Sequence, residues 1–467
     1  MHISKRYDLL LIILIGSIPR LLDLGNVSAI EMDGISYAWM AENFARGSFN
    51  EGLKGYFHPF YPIFMAIFSF VVGDMEINGR LLSLIFGILL IYFTFVLLKR
   101  FFGEKKALYG SFFVAIHPYL IRYSVQVLSE SMSIFLFTAA VFFFYKGWKG
   151  KDGIGIALAG IFLALTYLNK AEYIIYALPF CLLLAKERRI LHIFILIACV
   201  ALVSFPYVYY LKIETGLWTI TKKVAIAENA INNGIISYSY TAPFASYLQL
   251  FHRFPNVVYN FFEAVFPPFF ILVVLGFKRV DIRYRTMAIM LVVLHIIARV
   301  VFAPHSTKRY SVEFIPLLMI FAVEGIYVLK DLFNKCKYKK VYYYGALAFI
   351  VVASLFQAII SPNKGRIFHK QAGLYLLNND PGKKIMARLP IAPFYAKGQF
   401  IDITKSENAV ECSRFMGLLK DTGAKYIIFD DRMEGNPLFK NNCLSNFKLI
   451  KEFRDNNEFV MILSIND

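Results

Sequence analysis

Asp33-Gly34-Ile35-Ser36-Tyr37, then Ala41 and Gly47, then Phe57-His58-Pro59-Phe60-Tyr61-Pro62: this stretch lies between the apolar runs 8–25 and 79–98. An acid, several aromatics and a His-Pro turn are thereby set at the edge of a bilayer. Ionisable groups there are costly unless paired, hydrated or functional. The pattern reads as an active site at a membrane face rather than a pore.

Working outward, the chain has 467 residues, 58% of them hydrophobic and 17% aromatic, a mix that soluble domains seldom reach. The formal charge of +18 comes from short Lys/Arg clusters between apolar runs, as on the flanks of membrane helices, and implies no nucleic-acid partner. A crossing helix needs about 17–25 apolar residues. The candidates are 8–25, 79–98, 107–123, 128–146, 153–169, 171–185, 190–212, 256–277, 285–303, 310–329 and 341–360, eleven crossings in all. The short run 59–73 opens near prolines and reads as an interfacial helix or one that dips partway in. The start, Met1 to Asp8, is basic and lacks a small-residue cleavage site after the first run, so that run is expected to be retained.

Basic loops set the orientation. With the N-terminus in the cytoplasm, Lys99-Arg100, Lys105-Lys106, Lys186, Arg188-Arg189, Lys278-Arg279 and Lys337 to Lys340 all fall inside. Three longer segments then lie outside: a first loop 26–78, a loop 213–255, and a tail from 361. The expected domains are 1–360, transmembrane and catalytic, and 361–467, a soluble extracytoplasmic α/β domain. In the tail, strand-like runs at 384–386, 425–429 and 459–463 alternate with turns and with helix-like stretches at 369–378 and 407–421. Cys412 and Cys443 lie there and could form a disulfide in an oxidising compartment; unpaired thiols are the alternative. The expected location is the cytoplasmic membrane, multi-pass.

The polar residues expected at the outer face are Asp33, Tyr37, His58, Arg80, Arg122, Glu130, Asn169-Lys170, Glu172 and Arg309-Tyr310. A transporter would instead set such groups near the bilayer centre on broken helices.

The order Asp…Tyr…His-Pro-x-Tyr-Pro, Arg80 with Leu81-Leu82-Ser83, Ser129-Glu130-Ser131, Leu165 to Lys170, then Arg309-Tyr310 and Pro316-Leu317-Leu318 resembles glycosyltransferase family 39 and its relatives, the protein O-mannosyltransferases and the lipid A aminoarabinose transferases. The resemblance covers about 1–330. It implies the GT-C fold, an all-α polytopic membrane domain, here with a small C-terminal α/β domain. It also implies transfer of a sugar from a dolichyl- or undecaprenyl-phosphate donor to a lipid, polysaccharide or protein acceptor at the outer face. Asp33 occupies the position of the family's catalytic base. Two positions depart from the family pattern: Gly34 stands where a second acid often follows, and Phe60 where a second proline often follows the histidine.

Elementary chemistry agrees with that assignment. Transfer needs a base beside the acceptor hydroxyl and cations where charge builds on the leaving phosphate. Asp33 supplies the first; Lys170, Arg309 and Arg80 could supply the second. Tyr37, His58, Glu130 and Tyr310 are candidate substrate contacts. Each residue also has a plainer reading: Asp33 as a helix N-cap, His58 as a turn former, Arg80 as a lipid anchor, Glu130 as the partner of an arginine. No cofactor is expected, although Asp33 and Glu130 could share a divalent cation. The competing functions are an envelope polymerase or ligase acting on a diphosphate-linked glycan, and a transporter without chemistry.

Overall fold

The computed structural model describes residues 3–26, 29–222, 247–302, 307–334, 336–359, 366–403, 412–433, 447–455 and 458–465. Whether Cys412 and Cys443 pair or stay as thiols lies outside them, because Cys443 is not among the described residues, as does much of the loop 213–255. The chain divides into two compact units, one of Met1–Gly25 with Tyr37–Ile360, the other of Asn26–Ser36 with Ser361–Asp467.

The first unit is helical. In chain order it contains α1 (Ile3–Asn26), α2 (Met32–Ala45, whose first turns belong to the second unit), α3 (Phe49–Leu53), α4 (Phe60–Phe68), α5 (Met75–Phe102), α6 (Glu104–Ile116) and α7 (Pro118–Tyr123). These are followed by α8 (Glu130–Gly150), α9 (Gly153–Asn169), α10 (Ala177–Lys186), α11 (Ile190–Thr215), α12 (Tyr247–Val265), α13 (Pro267–Gly276), α14 (Ile282–Phe302), α15 (Ile315–Phe333) and α16 (Lys339–Ile359). Short 3₁₀ segments at Ala171–Tyr176 and Lys308–Phe314 precede α10 and α15. The protein is a multi-pass membrane protein. Among the described residues six helices are long and apolar enough to cross a bilayer, or seven if the bent pair α12–α13 counts as one span. The expected eleven runs all fall on helices, but four are interrupted, at His117, Tyr176, Phe266 and Phe314. The run 59–73 yields only the nine residues of α4, too short to cross.

The interruptions have local causes. Pro118 and Pro267-Pro268 cannot continue a hydrogen-bond ladder, so each opens a new helix. Phe266 takes φ +67°, a left-handed conformation that non-glycine residues rarely adopt, and the chain bends by 93° there. The two breaks meet: the His117 ring is 3.1 Å from the Val265 carbonyl oxygen and stacks on Phe269 at 5.3 Å. Arg20, fully buried on α1, donates to the carbonyls of Gly16 (2.6 Å) and Ala115 (2.7 Å), so it satisfies the C-terminal end of α6 where the ladder stops.

The hairpin α8–α9 positions the candidate site. Lys151 turns the chain with φ +55°, and Asp152 caps α9 by accepting from the Ile154 amide. The helices cross at Gly147 and Gly155, where a Cβ on Gly147 would stand 2.7 Å from the Ile156 nitrogen. Antiparallel packing this close brings the start of α8 and the end of α9 to the same level. Those ends carry Glu130 and Lys170.

The second unit is an α/β domain. Its sheet has the order β2 (Gln399–Asp402), β1 (Lys384–Ala387), β3 (Tyr426–Asp430), β5 (Glu458–Ile465), β4 (Phe447–Asp455), the first three parallel and the rest antiparallel. Side chains of β3 alternate between two cores: Ile427 and Phe429 pack with Phe415 and Leu419 of α19 (Cys412–Thr422), and Ile428 packs with Ala372 and Leu376 of α17 (Arg366–Asn379). A short helix, α18 (Ile391–Tyr395), follows β1. Asn26–Ser36 belongs to this unit, and the Ile30 amide donates to the Tyr395 hydroxyl at 2.9 Å.

Candidate functional site

Glu130 is the first helical residue of α8 and is 1% exposed. A carboxylate so buried needs partners. Its Oε1 accepts from Lys170 Nζ at 2.8 Å and from Arg309 Nε. Lys170 follows the last residue of α9; Arg309 lies in the 3₁₀ turn before α15. Three separated segments thus place one acid and two bases at a single point. Burial alone would lower the pKa of the Lys170 ammonium, but the charges of Glu130 and Glu172 hold it above its ordinary value, so it is charged at neutral pH.

The Tyr310 ring adds to the cluster. Lys170 Nζ lies 5.5 Å from its centroid and the Arg299 guanidinium of α14 only 3.9 Å. Arg299 was not among the sequence candidates, because a lone arginine near the end of an apolar helix reads as a lipid anchor. The cluster therefore sets three cations about Glu130 and an aromatic face, with the charge of Glu172 also acting on Lys170.

Polar residues fix these groups. Asn169 donates to the Ser129 carbonyl (3.0 Å) and to Ser133 Oγ (2.7 Å), which ties the end of α9 to the start of α8. Ser129 Oγ is 3.0 Å from the Tyr37 hydroxyl. The Tyr37 ring packs against Phe57 (4.7 Å) and Tyr61 (5.2 Å), and Tyr61 donates to the Gly79 carbonyl at 2.9 Å. Behind the cluster, the Tyr176 hydroxyl is 2.9 Å from His295 Nδ1 and 3.3 Å from Glu313 Oε1, while His295 Nε2 is 3.1 Å from Ser311 Oγ. This buried network joins the two 3₁₀ turns that carry Lys170 and Arg309 to α14.

The structure thus brings together Glu130, Lys170, Arg309 and Tyr310, with Tyr37 one residue away through Ser129. His58 packs edge-on against Tyr167 (5.1 Å) and Tyr207 (4.9 Å). Arg80 pairs with Glu76 one turn earlier on α5, both buried. Arg122 donates to the Gln357 carbonyl at 3.2 Å. Asp33 is half-buried in the first turn of α2, which starts at Met32. The Ile35 amide donates to the Glu31 carbonyl, so Asp33 is not the N-cap. Tyr37 follows one turn later on the same helix.

For the divalent cation that Asp33 and Glu130 could share, Glu130 offers one engaged and one open oxygen: Oε1 accepts from Lys170 and Arg309, whereas the buried Oε2 has no hydrogen-bond partner among the described residues. Among the described residues no group of three or more His, Cys, Asp or Glu side chains comes together.

Residues 58–210 match the family of dolichyl-phosphate-mannose-protein mannosyltransferases. The matched region carries His58, Arg80, Glu130 and Lys170, and bears out the resemblance read from the sequence. No curated protein matches the chain. Among solved structures, ArnT from Cupriavidus metallidurans bound to undecaprenyl phosphate is 14% identical, with a TM-score of 0.62 and 97% of each chain covered. The oligosaccharyltransferase AglB from Archaeoglobus fulgidus, in complex with an inhibitory peptide and a dolichol-phosphate, is 13% identical. Its TM-score is 0.60, and 98% of this chain and 74% of that one are covered. The Archaeoglobus fulgidus oligosaccharyltransferase in complex with Zn and sulfate is 12% identical, with a TM-score of 0.57 and coverage of 91% and 68%. At these identities the likeness shows the fold, which is the expected GT-C fold.

Proposed function

We propose that the protein transfers a sugar from a polyprenyl-phosphate donor to an acceptor at the extracytoplasmic face, with inversion at the anomeric carbon. The observation that carries this reading is the convergence of Lys170 and Arg309 on one buried carboxylate, with Arg299 alongside. As the sugar–phosphate bond breaks, the leaving phosphate passes from one negative charge to two. Cations already in place stabilise that change without reorganising. The likeness to ArnT with undecaprenyl phosphate and AglB with dolichol-phosphate supports a lipid phosphate as the leaving group.

In this reading Asp33 takes the proton of the acceptor hydroxyl. The oxygen attacks the anomeric carbon from the face opposite the phosphate, and the phosphate departs toward Lys170 and Arg309. Arg80 offers a further phosphate contact. Tyr37, His58 and Tyr310 contact the sugar or acceptor. Glu130 holds the two cations in position between turnovers. The orientation proposed is that read from the basic loops, with the N-terminus cytoplasmic and the C-terminal domain outside.

The test is Asp33→Asn, assayed with radiolabelled polyprenyl-phosphate sugars, membrane extract as acceptor source, and purified protein. Loss of a general base costs about 10²–10⁴-fold in rate. Asp33 also lies in a first helical turn, where its charge contributes only about 0.3–1 kcal/mol of helix stability. Turnover should therefore collapse while folding and donor binding persist. Near-normal turnover in folded Asp33→Asn would remove the base from the mechanism.

A further inference from the structure

A second site lies where α6, α15 and α16 diverge. In α16 the buried residues are Ile350, Ser354 and Ala358, all in its C-terminal half. Its N-terminal half stands away from its neighbours and leaves a cavity of about 520 Å³. The inner walls are apolar, formed by Phe112 and Phe113 of α6, Ile326 of α15, and Leu347 and Ile350 of α16. Lys330, Lys339 and Lys340 line the other end, with Asn334 between them in sequence. All three lysines are exposed. The nearby acids are otherwise engaged: Glu324 pairs with Lys106 at 2.5 Å and Asp331 with Arg279 at 2.6 Å. Among the described residues, none of the three lysines forms an ion pair.

We propose that this groove binds an anionic phospholipid, with an acyl chain against the apolar walls and the phosphodiester among Lys330, Lys339 and Lys340. The shape and charge pattern suit that occupant. An apolar gap between membrane helices favours hydrocarbon over water. Three like charges drawn to its mouth favour an anion, and interfacial lysines attract anionic lipid headgroups. The cations are too exposed to serve as a buried counter-ion site. This site does not depend on the reaction proposed above.

Native mass spectrometry of the full-length protein in detergent tests it, with phosphatidylglycerol and phosphatidylcholine titrated in parallel. Phosphatidylglycerol should bind at least about tenfold more tightly. The triple variant K330Q/K339Q/K340Q should lose roughly a hundredfold in phosphatidylglycerol affinity, the combined contribution of three interfacial lysines. Leu347→Trp, which fills the groove and leaves the lysines intact, should weaken it as well. The control K146Q/K149Q/K151Q, in another basic loop, should bind like wild type. Equal loss in the control would reduce the effect to general surface charge. An unchanged affinity in Leu347→Trp, or displacement of the lipid by millimolar inorganic phosphate, would leave only a surface anion contact. Any of these results overturns the proposal, as does the absence of selectivity over phosphatidylcholine.

Discussion

The pairing of Lys170 with Glu130 allows the phosphate-clamp reading to be separated from a purely structural one. Their atoms are 2.8 Å apart, with the side chains 12% and 1% exposed. Lys170→Gln removes one charge-assisted hydrogen bond to whatever anion Lys170 holds, worth about 1.5–3 kcal/mol. At 1.4 kcal/mol per tenfold, donor affinity should fall roughly 10- to 150-fold. Glu130→Gln removes the negative charge between two cations and should lower stability by about 3 kcal/mol or less, since Lys170 and Arg309 are partly hydrated. The double variant Lys170→Gln/Glu130→Gln decides the matter. If Lys170 binds the donor phosphate, the double variant regains stability relative to the single variants but its donor affinity stays low. The measurements are titration of a polyprenyl phosphate into purified protein and thermal unfolding of the same samples. Wild-type donor affinity in the double variant would show that Lys170 serves only to balance Glu130, and the clamp would have to be sought elsewhere.

Two further outcomes test the fold. Arg20→Met removes the donors to the Gly16 and Ala115 carbonyls, and the loss of these charge-assisted bonds, less the relief of a buried charge, should cost about 2 kcal/mol; an unchanged melting temperature in detergent would contradict the bracing role. In the C-terminal domain Asp430 is buried, which alone would raise its pKa, but hydrogen bonds from His369 and Arg388 hold it below the ordinary value of 3.8. A depressed folded-state pKa contributes stability that is present above the unfolded pKa, near 4, and lost as pH falls through the folded pKa. Denaturant unfolding of the domain between pH 7 and pH 2.5 should therefore show a loss below about pH 4 that Asp430→Asn flattens; identical profiles for the two proteins would count against this.

Much of the fold was legible because lipid imposes one rule on every span, and the apolar runs obey it. The run 153–169 coincides with α9 to the residue. What the sequence hid were the breaks inside spans. Pro118 and Pro267 mark two of them, yet nothing local announces that His117 would meet Val265, a contact between positions 148 residues apart. In the tail, β1, β3 and β5 were visible as apolar cores of the sheet. Strands β2 and β4 were not, because they lie at the edges, and Phe447–Asp455 carries Lys448, Lys451 and Arg454, which suit an edge and obscure its strand pattern. The allegiance of Asn26–Ser36 to the C-terminal domain was equally hidden, since it rests on contacts such as Ile30 with Tyr395, 365 residues away. At the candidate site, Glu130, Lys170 and Arg309 were legible as residue types at helix ends. Arg299 and the Tyr176–His295–Glu313 network were not, because their role depends on where separate helices meet.

The placement of polar groups also bears on the transporter reading. A transporter that works through discontinuous helices needs their freed backbone groups and charges to line a water-filled path. Here the conspicuous discontinuities, at His117 and Phe266, are closed by protein groups. The His117 ring reaches the Val265 carbonyl, Phe269 stacks over that ring, and Arg20 occupies the end of α6. The cationic cluster instead sits at helix ends: Glu130 opens α8, Lys170 closes α9, and Arg309 precedes α15. Short hydrogen bonds from Asn169 and the His295 network hold those ends fixed. Such rigidity hinders alternating access, which requires the site to rock between two faces. It favours catalysis, where cations must stand in place before charge develops on a leaving phosphate.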